Sequence, residues 1–343
     1  MHVYSSKNKM NETVNNESDG GQIGVQTAEI LLSRGDQWVY LAIGLVTLVI
    51  ATGCAGNVMV LLAIRKVKKL QTVSNIFVMN LSVCDLLSVV CVLPFNIYTY
   101  IADGWFIETY LCKFIGFLGY TLTGTTIITI TLIAYNRCKL VLDPGCYKTL
   151  YTNRNITIML AIAWFVPVLC LVPALTGVWG NFGYVAMMVS CNLLLDHKNQ
   201  LFKIFLMIVR AVIPCVLIVY YYVRIYHTTL RSHHRLKQKS RQLSSLGIHN
   251  QRLEMRMTRM MLIIFIVFAL SYFPCTITGI VDWNTVLSKQ FHMFCQLSVC
   301  IGSAINPLIY GLMNLQFRNA YIRICCWKKL PETELKSKTL NRI

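Results

Sequence analysis

The side chains with chemical potential in this 343-residue sequence are few and unusually placed. Asp85 stands in the middle of an apolar run from Val73 to Ile101, Asn57 in the middle of another from Trp38 to Ile64, and Asn306 just before Pro307 in a third, Lys289 to Met313. A carboxylate in such surroundings needs hydrogen bonds or a counter-ion, because polar and charged groups are costly away from water. Asn57, Asp85 and Asn306 meet that need in one of two ways. They share a pocket filled by water or by a sodium ion at Asp85, or they form a polar clamp between helices without any ion. A second misplaced charge is Arg210, one helical turn before Pro214, with Lys203 about two turns ahead of it. A guanidinium there could receive an anionic group in bidentate fashion, pair with Asp282, or extend its head toward the lipid surface. Hydrolytic and metal chemistry have no comparable basis. There is no His-Glu-x-x-His string and no paired Asp set, and His227, His233 and His234 stand in a hydrophilic stretch. The expectation is therefore no catalytic residue, no metal and no cofactor beyond sodium.

The elements that must position these groups follow from composition. The chain is 55% hydrophobic and only 13% charged, yet its net charge is +18 and its mean hydropathy +0.55. That balance excludes a disordered basic tail, an ordinary water-soluble domain and a nucleic-acid-binding module. Of 14 cysteines, Cys54, Cys84, Cys91, Cys170, Cys215 and Cys300 lie inside apolar runs, where a thiol acts as a small hydrophobe. About 20 apolar residues cross a bilayer as a helix, and seven stretches qualify. They run Trp38–Ile64, Val73–Ile101, Thr109–Leu140, Ile156–Leu175, Leu201–Tyr226, Met257–Val281 and Lys289–Met313. The fold class expected is an all-α membrane protein, a seven-helix bundle followed by a short amphipathic eighth helix. The polar first thirty-odd residues lack a signal-peptide pattern, so the first span is expected to direct its own insertion.

Basic residues set the orientation. All but eight of the 32 fall on one side, in the loops after the first, third, fifth and seventh spans or at the span ends that border them; the exceptions are Lys7, Lys9, Arg34, Lys113, Lys198, Lys203, Arg210 and Lys289. This places the amino terminus outside and the carboxyl terminus inside, with the basic loops facing anionic lipid; the membrane expected is the plasma membrane. The sequons at Asn11 and Asn16 fall on the outer side, as glycosylation requires, whereas the one at Asn155 falls inside. The expected organisation is an extracellular tail at 1–37, the bundle at 38–313, an amphipathic helix at 314–326 and a cytoplasmic tail at 327–343. Residues from about 227 to 253 read as a solvated linker, with helix resuming near Glu254. The transporter sign of an internal repeat is absent.

One landmark on every span, in order, carries a family resemblance: Gly56-Asn57-Val58, Leu81 to Asp85, Asn136-Arg137-Cys138, Trp164, Pro214 with Tyr222, Phe268 to Pro274, and Asn306-Pro307-Leu308-Ile309-Tyr310. Together they resemble the rhodopsin-like class of G-protein-coupled receptors over residues from about 38 to 326. Asn-Arg-Cys in place of the commoner Asp-Arg-Tyr, and the stretch Thr176 to Gly183 before Cys191, are similar more specifically to the invertebrate trapped-in-endoderm and moody receptors.

The resemblance implies an extracellular ligand, whether small molecule, lipid or peptide, a heterotrimeric G protein as partner, and roles in cell migration or epithelial barrier signalling. It implies a disulfide between Cys112 and Cys191. It also implies a cytoplasmic cleft that opens when the sixth span moves, with Arg137, Tyr222 and Tyr310 lining it. Pro214, Pro274 and Pro307 each remove a backbone donor and kink a span, which supplies hinges for such motion. The family's usual acid before the Arg is replaced by neutral Asn136, so the expected inactive-state lock is one-legged, Arg137 with Glu254, and basal signalling rises. Gly119 stands where amine receptors carry Asp, and Cys300 where retinal receptors carry the Schiff-base Lys, so neither ligand class is expected. An anionic, lipid-like ligand at Arg210 and Lys203, walled by Tyr98, Gly119, Tyr120, Tyr272 and Asp282, is expected instead. Cys325 and Cys326 follow the amphipathic stretch as lipidation sites. The competing reading is a polytopic transporter or channel using Asp85 and Arg210 as a polar path.

Overall fold

The fold is known from a computed structural model. It describes residues 37–194, 197–238, 245–282, 284 and 286–326, with side chains at 197–198, 231–238 and 245–255 set aside. Among the described residues, seven helices are long and apolar enough to cross a bilayer. These spans are Gln37–Lys66, Val73–Ala102, Thr109–Leu142, Asn153–Thr176, Asn199–Leu230, Arg256–Val281 and Lys289–Met313. The chain divides into a unit of residues 1–41, whose described part is the opening turn of the first span, and a unit of residues 42–343.

Local chemistry sets the helix ends. Thr72, Thr152 and Ser288 each accept a hydrogen bond from the backbone N–H three residues on, at Asn75, Asn155 and Phe291, so the second, fourth and seventh spans begin on a side-chain cap. Gly177 adopts φ 77° and closes the fourth span, donating its N–H to the Pro173 carbonyl. The second span breaks at Val92, and its continuation, Leu93–Ala102, carries Pro94 in its first turn, where a missing N–H costs nothing. The fifth span contains a π-helical turn, Ile208–Val212, two residues before Pro214. Such turns insert an extra residue into a helix and are frequent at functional sites.

The third span is the hub: it packs on the second, fourth and fifth spans and on both strands of a hairpin, while the sixth and seventh pack on each other. The hairpin pairs β1 (Phe182–Val185) antiparallel with β2 (Ser190–Leu193), with Tyr184 opposite Cys191. The disulfide Cys112–Cys191 pins β2 to the start of the third span, with Cα atoms 5.3 Å apart. This end of the bundle is the disulfide end. At the far end, Phe77, Leu81, Ile133, Tyr310 and Phe317 belong to one buried cluster that joins the second, third and seventh spans to a terminal helix, Leu315–Cys325. Leu48, Phe165, Leu169, Leu270 and Leu312 are exposed on span surfaces, the distribution of a bundle bathed in hydrocarbon.

The expected linker is corrected. Helix continues from the fifth span to Gln238 and resumes at Ser245, leaving only 239–244 between them. The stretch is polar, but its Arg, Lys, Gln and Leu residues are good helix formers and no Pro interrupts them. A hairpin and a short helix, Pro144–Leu150, capped by Asp143, also lie where the sequence reading placed only loop.

Candidate functional site

A cavity of about 150 Å³ enters the bundle beneath β2. Its walls come from the second, third, fifth, sixth and seventh spans, and it runs from Cys191 and Asn192 past Gly119, Tyr120, Lys203, Arg210 and Tyr272 to Asp85 and Asn306. Asp85, Lys203, Arg210 and Asn306, from the second, fifth and seventh spans, thus line one continuous space, whereas Asn57 is not in its lining.

At its deep end, Asn306 Nδ2 donates to Asp85 Oδ2 at 2.9 Å, and Asp85 is 4% exposed. Asn57 does not complete that pair directly. Its Nδ2 donates to the Ser303 and Gly53 carbonyls at 2.9 and 3.0 Å, which ties the first span to the backbone of the seventh. Asn57 Oδ1 is a buried acceptor without a hydrogen-bond partner among the described residues. The second and seventh spans are therefore joined by side chains, and the first and seventh by a side chain on backbone.

Higher up, Arg210 lies in the π-helical turn and is 3% exposed. One guanidinium nitrogen, Nη2, donates to the Tyr120 carbonyl, and the group sits over the Tyr120 ring with its carbon 5.0 Å from the centroid. Nε and Nη1 are buried without hydrogen-bond partners among the described residues. The pairing of Arg210 with Asp282 that the sequence allowed is not made. Asp282 accepts from the Val286 and Leu287 N–H groups at 2.7 and 3.1 Å, and lies 2.7 Å from His292 Nε2. Burial raises the Asp282 pKa, but those bonds outweigh it, and the carboxyl is held below its ordinary value. Asp282 thus organises the turn between the sixth and seventh spans and is absent from the cavity lining, as is Tyr98, which meets Trp105 edge-on at 5.7 Å. Tyr120 reaches the hairpin, donating from its hydroxyl to Asn192 Oδ1 at 2.7 Å. Tyr272 stacks on Phe268 at 5.5 Å, two residues before Pro274 in the sixth span.

Gly124 is a position that the sequence reading missed. A Cβ there would lie 2.8 Å from the Pro167 ring and 3.0 Å from Arg210 Nε, so the absence of a side chain admits both. No spacing rule marks such a residue in advance.

At the far end, Asn136 is fully buried. Its Oδ1 accepts from Ser74 Oγ at 2.5 Å and its Nδ2 donates to the Tyr147 hydroxyl at 3.0 Å, which ties the third span to the second and to helix Pro144–Leu150. Arg137 beside it is 6% exposed, and Tyr222 is partly buried. Glu254 lies on the helix that includes the sixth span, and its side chain is outside the described residues, as are Asn11 and Asn16. Beyond Pro307, Tyr310 is fully buried and stacks on Phe317 at 5.3 Å. Cys325 and Cys326 are exposed thiols at the end of the terminal helix. Ser74 and Tyr147 were not anticipated, because a Ser and a Tyr far apart in sequence carry no mark of meeting an Asn.

The comparisons with known proteins agree with this geometry. The profile of the 7 transmembrane receptor (rhodopsin family) matches residues 56–310. "G-protein coupled receptor moody" of Drosophila melanogaster is 28% identical over 331 residues, covering 80% of this chain and 49% of that one; the chain thus spans about half the length of the moody receptors it matches. "Protein trapped in endoderm-1" of the same fly is 27% identical, with 80% and 74% covered, and "Melatonin receptor type 1B-B" of Danio rerio is 26% identical, with 78% and 77% covered. Squid rhodopsin shares the fold, with a TM-score of 0.76 at 20% identity over 89% of this chain and 92% of that one. The chain is a multi-pass plasma membrane protein that belongs to the rhodopsin family of seven-transmembrane receptors, the class A G-protein-coupled receptors.

Proposed function

We propose that this protein is a receptor that takes an extracellular small-molecule or lipid ligand into the cavity beneath β2 and activates a heterotrimeric G protein at the far end. The disulfide end then faces outward, with the amino terminus, and the Arg137 end faces the cytoplasm. The observation that carries the reading is the single cavity that reaches from Asn192 to the Asp85–Asn306 pair. Asn306 is followed by Pro307 and, three residues later, by Tyr310, packed on the terminal helix. A ligand that prefers one arrangement of the seventh span shifts the population of bundle shapes by its difference in affinity for them. The transporter alternative gives no role to the far-end cluster of Asn136, Arg137 and Tyr310, and relatives that are receptors weigh against it.

Sodium at Asp85 is part of this reading. The Asp85 carboxylate and the unpartnered acceptor Asn57 Oδ1 are oxygen donors of the hard kind such a cation takes, and bound sodium would supply the carboxylate with a counter-charge. Lipidation at Cys325 and Cys326 and glycosylation at Asn11 and Asn16 complete it.

The test is G-protein activation in cells across a panel of sensors, comparing wild type, Arg137→Ala and Glu254→Ala at matched surface level without added ligand. Basal activity that Arg137→Ala removes and Glu254→Ala raises supports both the receptor and the one-legged lock. Equal activity in all three variants would sink the assigned roles of both residues.

A further inference from the structure

We infer that the Arg210 guanidinium is the head-group receptor for an amphiphilic acid, a ligand with one carboxylate or phosphate on an apolar body. The inference rests on the receptor reading and deepens it to a ligand class. Arg210 is 97% buried by exposure, faces the cavity, and has no carboxylate partner among the described residues. One nitrogen is held by the Tyr120 carbonyl while Nε and Nη1 have no hydrogen-bond partner among the described residues. A buried cation in that state is costly, and an anion that accepts from the unused N–H groups removes the cost. Lys203 adds a second positive charge to the same lining, whose only described carboxylate, Asp85, lies at the deep end with Asn306.

The surroundings are built to hold the group in place. Tyr120 provides both the carbonyl and the ring under the cation, and its hydroxyl is fixed by Asn192 of β2, so the platform is anchored to the hairpin above. Gly124 leaves the space that Nε occupies. The π-helical turn changes the helical register exactly where Arg210 leaves the backbone, which is how a long polar side chain can be aimed inward from a lipid-bathed helix. Tyr120 is eight residues, about 12 Å, beyond Cys112 along the third span, so the head group sits well below the disulfide. The apolar body has room against Leu206, Met207, Phe268 and Tyr272. An amine ligand would meet the Arg210 guanidinium, and not a carboxylate, at this depth.

The experiment is thermal unfolding of the purified receptor in nanodiscs of neutral phospholipid. The probes are an alkyl carboxylate, an alkyl phosphate, the alcohol of equal chain length, and inorganic phosphate alone. The inference expects at least one of the two acids to stabilise the wild type in a saturable manner while the alcohol and inorganic phosphate do not; which acid wins identifies the head group. Arg210→Gln should weaken the acid by at least about tenfold, and Arg210→Lys, which keeps the charge but loses the planar fork, should fall between. Equal stabilisation by acid and alcohol would overturn the inference, as would no stabilisation by either acid. Inorganic phosphate acting as well as the alkyl acids would overturn the amphiphile part. If Arg210→Gln does not fold, the acid-against-alcohol comparison on wild type and the Arg210→Lys value decide. No G protein is present in this assay, so its failure is separable from failure of the receptor reading.

Discussion

Replacing Asn136 with Ala would remove two hydrogen bonds that join three separate elements at the far end of the bundle. Ser74 Oγ donates to Asn136 Oδ1 at 2.5 Å, and Asn136 Nδ2 donates to the Tyr147 hydroxyl at 3.0 Å, with Asn136 fully buried and Ser74 4% exposed. Interhelical side-chain bonds in membrane proteins average about 0.6 kcal/mol and reach about 1.7. Two of them, with Ser74 left without its acceptor, make a loss of about 1 to 3 kcal/mol and a fall in Tm of roughly 2 to 10 °C. Ser74→Ala removes only the shorter bond and should cost about half as much. Adding Ser74→Ala to Asn136→Ala should then cost almost nothing further, since the bond is already gone. Asn136→Asp keeps an acceptor for Ser74 and can accept from the Tyr147 hydroxyl, so the fold should survive, while a carboxylate beside Arg137 lowers basal signalling. Thermal unfolding of the four variants and wild type in one detergent, with a G-protein sensor run on the same set in cells, gives both readings. Additive losses from Ser74→Ala and Asn136→Ala, or an unchanged Tm in Asn136→Ala, would refute the proposed role of this junction.

Three further outcomes follow from the structure. Removing the Cys112–Cys191 bridge by a double Ser substitution releases a loop with a sequence separation of 79 residues, for which the chain-entropy relation gives about 4.5 kcal/mol; unfolding under non-reducing conditions should shift strongly, and an unchanged Tm would mean that the hairpin holds itself. Asp282 has a depressed pKa, so its contribution to stability is complete above the ordinary carboxylate value of 3.8 and is lost as pH falls through the lower folded value. The Tm gap between wild type and Asp282→Asn should therefore be widest near neutral pH and close below pH 3.8, and a gap constant with pH would contradict the His292 and backbone contacts assigned to it. Gly124→Ala should destabilise the helix packing around Arg210, because the new Cβ meets the Pro167 ring at 2.8 Å and Arg210 Nε at 3.0 Å. A loss of about 1 to 3 kcal/mol in unfolding is expected, and an Ala variant as stable as wild type would show that Arg210 is not seated where the structure places it.

Hydropathy alone located every span to within a few residues of its ends, because hydrocarbon permits so few structures that an apolar run of sufficient length has only one solution. That Asp85 needs polar company was legible, since a carboxylate in an apolar run must find a partner, with Asn57 and Asn306 as the candidates; the structure gives it Asn306. What could not be read was geometry that depends on which face a helix turns. Asn57 reaches backbone at Ser303 instead of Asp85, and Asp282 turns to His292 and the Val286 and Leu287 N–H groups instead of Arg210. The π-helical turn is the same kind of case: it reorients Arg210 by one residue's rotation, and nothing in Ile-Val-Arg-Ala-Val announces it. The linker was misread for a different reason. High charge suggests disorder, but Lys, Arg and Gln also sustain helix, and a flanking span supplies the nucleus that an isolated segment lacks.

The most direct test of the central claim is nucleotide exchange on purified heterotrimers by the receptor reconstituted in nanodiscs, wild type beside Arg137→Ala, across the main G-protein classes. The account predicts that wild type accelerates exchange on at least one heterotrimer and that Arg137→Ala does not. Exchange on none of them, with and without the alkyl acids, together with solute flux through the same protein in sealed vesicles, would contradict it.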